Sequence, residues 1–155
     1  MAALEEQCAA GLVVLVGTYL FLLAMAYLEP ITGDGWCATL DMVRKGASIN
    51  TMFIRMRAYH LHSHPRLGQL FTFLTYSGGP FHEIVTPLVL SAWSVLAVLH
   101  ATGRWPELRS LRGAGLLLLA FAAVWLVVPP AEALFYRPIT TNYTYSVVLM
   151  LAYFV

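Results

Sequence analysis

The sequence predicts an all-α membrane protein that crosses the bilayer several times. Hydrophobic residues make up 59% of the 155 residues, charged residues make up only 11%, and the mean hydropathy is +0.71. Soluble domains carry about 25% charged residues, so this composition excludes an ordinary soluble domain. The net charge of +1 gives no basic surface for nucleic acid. The two cysteines allow one disulfide at most.

The first predicted span covers residues 11–28, a stretch without any charged side chain. A helix that crosses a hydrocarbon core of about 30 Å needs about 20 apolar residues. Glu29-Pro30 ends this stretch, because proline cannot continue the hydrogen-bond ladder. A cleaved signal peptide would begin with basic residues, whereas Glu5 and Glu6 stand here. We therefore expect a permanent helix.

Three further spans are predicted, at about residues 82–101, 113–134 and 139–155. Pro87 lies near the first turn of the second span, where a missing N–H costs least. Pro129-Pro130 predicts a kink in the third. The last has 17 residues, or roughly 25 Å as a helix. A terminal carboxylate is costly inside hydrocarbon, so we expect the end at an interface, under a partner, or continued by further chain.

Residues 49–79 are predicted to be interfacial or re-entrant. Apolar side chains recur at helical spacing at Ile49, Met52, Phe53, Met56 and Tyr59, which is typical of an amphipathic surface helix. Residues 67–77 are apolar but only 11 long, so a fifth span stays open. Five spans would place eight of the nine basic residues on one side, and four spans would place six. We expect four spans in a single integral membrane domain, residues 1–155.

Basic and aromatic side chains near the predicted span ends are candidates for lipid headgroup contact: Arg55, Arg57, Arg66, Tyr136 and Arg137. Glu83 and Glu132 are acids near membrane ends, and an intramembrane acid is a candidate for proton handling. Bound phospholipid is the ligand that we expect.

Four histidines are candidates for a metal or a haem. His60 and His64 share a face if their segment is helical, a spacing that can hold zinc or copper. His82 and His100 stand about 18 residues apart, roughly 27 Å along a helix, so they cannot share a ligand. Amphipathic rings at span ends are more often interfacial anchors. We expect neither metal nor haem.

The segment Phe135-Tyr136-Arg137-Pro138, which follows an apolar helix and precedes a second, resembles the type 2 phosphatidic acid phosphatase superfamily. The resemblance covers residues 65–146, and in that family the counterpart of residues 70–79 is interfacial, which favours four spans. It implies a lysine seven residues before the Arg-Pro pair, where Pro130 stands, and a Ser-Gly-His motif, where Ser146 is followed by valines. A His nucleophile in a cationic pocket, which that chemistry needs, is therefore not expected.

The sequence favours a non-catalytic accessory subunit of a larger membrane complex, which packs against other transmembrane subunits and binds lipid. Small residues within the spans, such as Gly113 and Gly115, let helices approach closely. A respiratory or ATP synthase assembly of the mitochondrial inner membrane is the expected class of complex. The alternative is a divergent or truncated lipid phosphatase or phosphotransferase of the superfamily named above.

Overall fold

The computed structural model describes residues 9–29, 40, 44, 48–62, 68–76, 80–128 and 134–155. Its helices are α1 (Ala10–Leu28), α2 (Ile49–His62), α3 (Gly68–Thr75), α4 (Phe81–Thr102), α5 (Leu111–Val127), α6 (Arg137–Ile139) and α7 (Tyr145–Tyr153). A π-helical turn, Thr140–Thr144, joins the last two, so residues 137–153 form one continuous helical segment. Within these described ranges there is no strand, which confirms the all-α class there.

Two helices, α1 and α4, are long and apolar enough to cross a membrane. The third apolar helix, α5, has 17 residues and ends at Val127, although the sequence predicted a span that continues to residue 134. The predicted kink at Pro129-Pro130 lies outside the described residues. A residue before proline is disfavoured in the α region, so the helix ends close to the pair.

Local sequence explains the boundaries of α4 and α5. Gly103 follows α4 in the left-handed conformation (φ 67°), and its N–H donates to the Leu99 carbonyl at 2.7 Å. The Ser110 hydroxyl caps α5 by accepting from the Gly113 N–H at 2.9 Å. Because α4 begins at Phe81, Pro87 is its seventh residue and lies in the second turn, next to the first turn near which the sequence predicted it.

Helices α1 and α4 pack as antiparallel neighbours. The Leu12 N–H donates to the Leu108 carbonyl at 3.1 Å, which places the start of α1 against the connection between α4 and α5. At the other end Glu29 reaches His82 in the first turn of α4. Helix α1 packs against α4 and α5, α4 also packs against α7, and α3 packs against the π-helical turn. The start of α1 therefore lies near the end of α4, and the end of α1 lies near the start of α4.

The core lies between α1, α4 and the residues that precede Arg137. Its most buried members are Leu22, Ala26, Leu90, Leu134 and Phe135. Aromatic rings from α1 and α5 close it, with Phe21 and Trp125 in edge contact at 5.4 Å and Trp125 and Phe135 at 6.0 Å between centroids. This apolar packing fixes the ends of the helices from which the polar side chains project.

Candidate functional site

Polar side chains from four segments converge where α1 ends and α4 begins. This polar cluster consists of Glu29, Tyr76, His82, Glu83, Thr86, Arg137 and Tyr145. Glu29 directly follows α1, Tyr76 follows α3, the next three lie in the first two turns of α4, and the last two lie on residues 137–153. The packing of α1 and the last segment against α4 therefore assembles residues that are far apart in the sequence.

His82 is fully buried and has a partner at each ring nitrogen. Its Nδ1 lies 2.9 Å from the Thr86 hydroxyl, one helical turn further along α4. Its Nε2 lies 2.7 Å from a carboxylate oxygen of Glu29. Neither of these two atoms has an aligned hydrogen bond within the described ranges, so the contact is ionic when the ring is protonated.

The Thr86 hydroxyl extends this arrangement into the bundle. It lies 2.8 Å from the hydroxyl of Tyr145 as well as 2.9 Å from His82 Nδ1, and either oxygen of the Thr86–Tyr145 pair can donate. Thr86 is fully buried, and Tyr145 is nearly so. A continuous chain of polar atoms thus leads from Glu29 through the imidazole to the phenol.

Arg137 connects the remaining parts of the cluster. Its Nη1 donates to the Thr75 carbonyl at 2.5 Å, and its Nη2 lies 3.4 Å from a carboxylate oxygen of Glu83. Its Nε lies 3.9 Å from Glu29, and the guanidinium stands 5.7 Å from the centre of the Tyr76 ring. One buried cation therefore contacts both carboxylates and an aromatic face.

Hydroxyl and amide side chains form a group of hydrogen bonds next to Arg137. The Thr141 hydroxyl donates to the Arg137 carbonyl at 2.7 Å and also meets the hydroxyl of Thr72. The Asn142 amide donates to Thr72 at 3.2 Å and to the Pro138 carbonyl at 2.7 Å. The bonds to Thr72 join α3 to the start of residues 137–153, and the bond from Thr141 fixes the main chain at Arg137.

The charges of the cluster nearly balance. Two carboxylates, Glu29 and Glu83, face one guanidinium, and the sum becomes zero when His82 is protonated. Glu83 keeps one buried carboxylate oxygen, Oε2, without a hydrogen-bond partner in the described part of the chain. A buried carboxylate oxygen without a donor is costly, so this atom is available to accept a proton or a hydrogen bond.

The structure brings three of the sequence-predicted candidates together, namely His82, Glu83 and Arg137. Tyr136 is half-buried next to Arg137. Arg137, proposed from the sequence as a headgroup contact, is buried and paired within the protein. Contact of Tyr136 and Arg137 with lipid headgroups remains a prediction.

The other candidates lie elsewhere. Arg55 and Arg57 lie on α2, half-buried and exposed respectively. His60 is a residue of α2, while Arg66, His64 and Glu132 lie outside the described residues. His100 ends α4 at the far side, with Nε2 at 2.8 Å from the Leu151 carbonyl. In the described ranges no group of three His, Cys, Asp or Glu residues could hold a metal ion.

Four members of the cluster were not identified as site residues from the sequence, namely Glu29, Tyr76, Thr86 and Tyr145. Glu29 was interpreted only as the residue that ends α1, although an acid next to an apolar span is a general signal of a site. Thr86 and Tyr145 stand 59 residues apart. Nothing in the sequence pairs them, since only the packing of α4 against α7 does so.

No family model, curated protein or solved structure matches this chain. The resemblance of residues 65–146 to the phosphatidic acid phosphatase superfamily therefore stays a prediction.

Proposed function

We propose that this chain is a four-span membrane protein whose polar cluster performs acid–base chemistry on a lipid-soluble substrate. The membrane placement is supported by α1, an apolar helix whose large side chains remain mostly outside the core, with Leu20 55% and Leu28 73% exposed. An apolar face of this size is stable in lipid and costly in water.

Four crossings are supported by the alternating direction of the helices. Helices α1 and α5 run toward the cluster, while α4 and residues 137–153 run away from it and stay together as far as the His100–Leu151 contact. Helix α3 packs at the cluster end. We therefore assign α2 and α3 to one interface, with five basic residues between α1 and α4 on that side.

The observation that carries the acid–base proposal is the fully buried His82 held between Glu29 and Thr86. Ionisable groups inside a membrane protein are expensive, and they mark functional sites by default. Histidine exchanges protons more readily near neutral pH than any other side chain. A buried carboxylate–imidazole pair is an arrangement that general acid–base catalysis uses.

Each group has a role that follows from its contacts. Glu29 stabilises the protonated imidazole, because its oxygen lies 2.7 Å from Nε2. The Thr86 hydroxyl can pass a proton between Nδ1 and the Tyr145 hydroxyl without movement of the main chain, since it lies within 3 Å of both. Glu83, with its free Oε2, is the second proton-accepting group. Arg137 offsets the negative charge of the two carboxylates, since its guanidinium lies 3.4 Å from Glu83 and 3.9 Å from Glu29.

The charge of the cluster favours a neutral or cationic substrate over a phosphate ester. Its guanidinium already contacts Glu83 and lies near Glu29, and a second negative charge placed beside two carboxylates is repelled. The charges of these residues therefore favour acid–base chemistry over the lipid phosphatase alternative.

Deuterium transfer from solvent to lipid tests the proposal. We would incubate the purified chain in nanodiscs of its native lipid extract in D₂O and follow deuterium at carbon in the lipids by mass spectrometry. We expect one lipid class to gain label with the wild type, and the Glu29→Gln and His82→Gln variants to lose at least about 100-fold in rate. His100→Gln is the matched control, since His100 lies at the far end of α4. Label transfer that persists in His82→Gln would contradict the proposal.

A second candidate function is the accessory subunit predicted from the sequence. Its support is that small residues lie on outward faces, because a Cβ added at Gly17 or Gly115 would meet no described atom within 4 Å. Such faces favour helix association in lipid. In gentle detergent a subunit migrates with fixed partners in a band much larger than 17 kDa, whereas an isolated enzyme migrates alone. The class of complex and the mitochondrial inner membrane belong to this candidate.

A further inference from the structure

A charged cavity lies at the end of the bundle opposite the polar cluster. It has a volume of about 280 Å³ and lies between the end of α4 and the start of α5. Arg104, Glu107 and Arg112 line it, so its side chains carry a net charge of +1. Both guanidinium groups lack an ion pair in the part of the chain that the structure describes, and both residues are exposed. The cavity can therefore accept an anion.

An apolar groove runs between α1 and α4 from the same end. It has a volume of about 470 Å³, and Leu15, Leu88, Val95 and Leu96 are among its walls. Leu88 and Leu96 stand eight residues apart, about 12 Å along the helix. The groove therefore fits an extended hydrocarbon chain.

The cavity and the groove join at Trp105, which lines both. They also share one face of α4. Leu88, Ser91 and Val95 of the groove continue into Val98 and Thr102 of the cavity. These five positions follow one another at spacings of three and four, which places them in a single stripe along the helix. A charged end and an apolar end thus form one elongated surface.

We propose that this surface binds one anionic glycerophospholipid, with its phosphate at Arg104 and Arg112 and an acyl chain in the groove. The inference depends on the membrane placement proposed above, but not on the acid–base chemistry. Arginine binds phosphate through two parallel hydrogen bonds. Tryptophan is typical of the headgroup level, where Trp105 stands 62% exposed. A partner helix in the groove would leave both guanidinium groups without an anion, so charge complementarity favours the lipid.

Native mass spectrometry of the full chain in mild detergent tests the site. The probes are dioleoyl phosphatidylglycerol and dioleoyl phosphatidylcholine, which differ in headgroup alone. We expect the wild type to retain the first lipid more strongly, and the Arg104→Gln/Arg112→Gln double variant to lose at least about tenfold of that preference. Each basic residue near a lipid surface contributes about fivefold. Arg109→Gln is the control, because Arg109 is exposed in the same connection and does not line the cavity.

A second variant tests the groove. Ala92→Trp places a large ring on a groove-lining position, and we expect it to lower the retention of both lipids equally. An unchanged headgroup preference in the double variant, or an equal loss in Arg109→Gln, overturns the proposal. Failure of deuterium transfer with intact lipid preference would contradict only the acid–base function. A chain that stays monodisperse in water without detergent overturns the lipid site together with the membrane placement.

Discussion

Arg137 is the residue on which the polar cluster depends most. It is 8% exposed and contacts the Thr75 carbonyl, Glu83, Glu29 and the Tyr76 ring from a single guanidinium. A buried ion pair adds little net stability compared with apolar packing, but removing one partner leaves an uncompensated charge. Glu83 would be left in that state here, whereas Glu29 keeps its contact with His82.

We expect Arg137→Gln to lower the free energy of unfolding by about 3 kcal/mol. Chemical unfolding in a mild detergent, followed by tryptophan fluorescence, measures the change. Arg137→Lys keeps the positive charge but loses the two guanidinium nitrogens that contact Thr75 and Glu83 together. We therefore expect Arg137→Lys to lower the free energy of unfolding by less than Arg137→Gln does. Arg109→Gln, an exposed control, should change stability by less than about 0.5 kcal/mol. Equal stability of Arg137→Gln and wild type would show that the cluster is not held by this cation.

At the level of elements, the connection between α4 and α5 lies directly against two helix starts. A Cβ at Gly11 would lie 2.8 Å from the Leu108 Cα, and a Cβ at Gly113 would collide with the Glu107 carbonyl. Both clashes are with backbone, which cannot rotate away. The glycines therefore permit the connection to pack under α1 and α5, which brings Trp105 and its neighbours to the groove.

Alanine substitutions separate the two kinds of helical glycine. Gly11→Ala and Gly113→Ala should each destabilise the protein by about 1–3 kcal/mol, because the added methyl group forces a backbone shift. Gly17→Ala and Gly115→Ala are matched controls, since no atom of the residues that the structure describes lies within 4 Å of the new methyl group. These controls should be neutral or stabilise by up to about 1 kcal/mol through helix propensity. Thermal unfolding in detergent measures all four, and a neutral Gly113→Ala would contradict the close approach.

For the whole molecule, the decisive feature is that α1 and α5 run against α4 and residues 137–153. This arrangement places the polar cluster at one end and the charged cavity at the other. Because α2 and α3 then share an end with the cluster, the number of crossings can be tested by labelling.

Labelling of single cysteines in sealed vesicles should support four spans. In a background without Cys8 and Cys37, we expect Asn50→Cys and Pro80→Cys to react with an impermeant maleimide from the same side. Arg109→Cys and Tyr153→Cys should react from the opposite side, and all four positions are exposed. If residues 67–77 were a fifth span, Asn50→Cys and Pro80→Cys would be labelled from opposite sides.

The sequence alone predicted most of the helical architecture. The apolar stretches at residues 11–28 and 82–101 correspond to α1 and α4, and the apolar spacing from Ile49 to Tyr59 corresponds to α2. These features are local, since hydrophobic length and period depend only on neighbouring residues. The end of α5 at Val127 and the start of α4 at Phe81 differ from the predicted ranges, because capping and proline effects shift boundaries by a few residues.

The polar cluster was decided by tertiary structure. The sequence marked His82, Glu83 and Arg137 separately, but their contacts with Glu29, Thr86 and Tyr145 depend on how α1 and α7 pack against α4. A contact between residues 50 to 60 positions apart leaves no periodic trace in the sequence, whereas an apolar helix does. Composition and spacing therefore determined the helices of this protein, and the packing of those helices determined which polar groups meet.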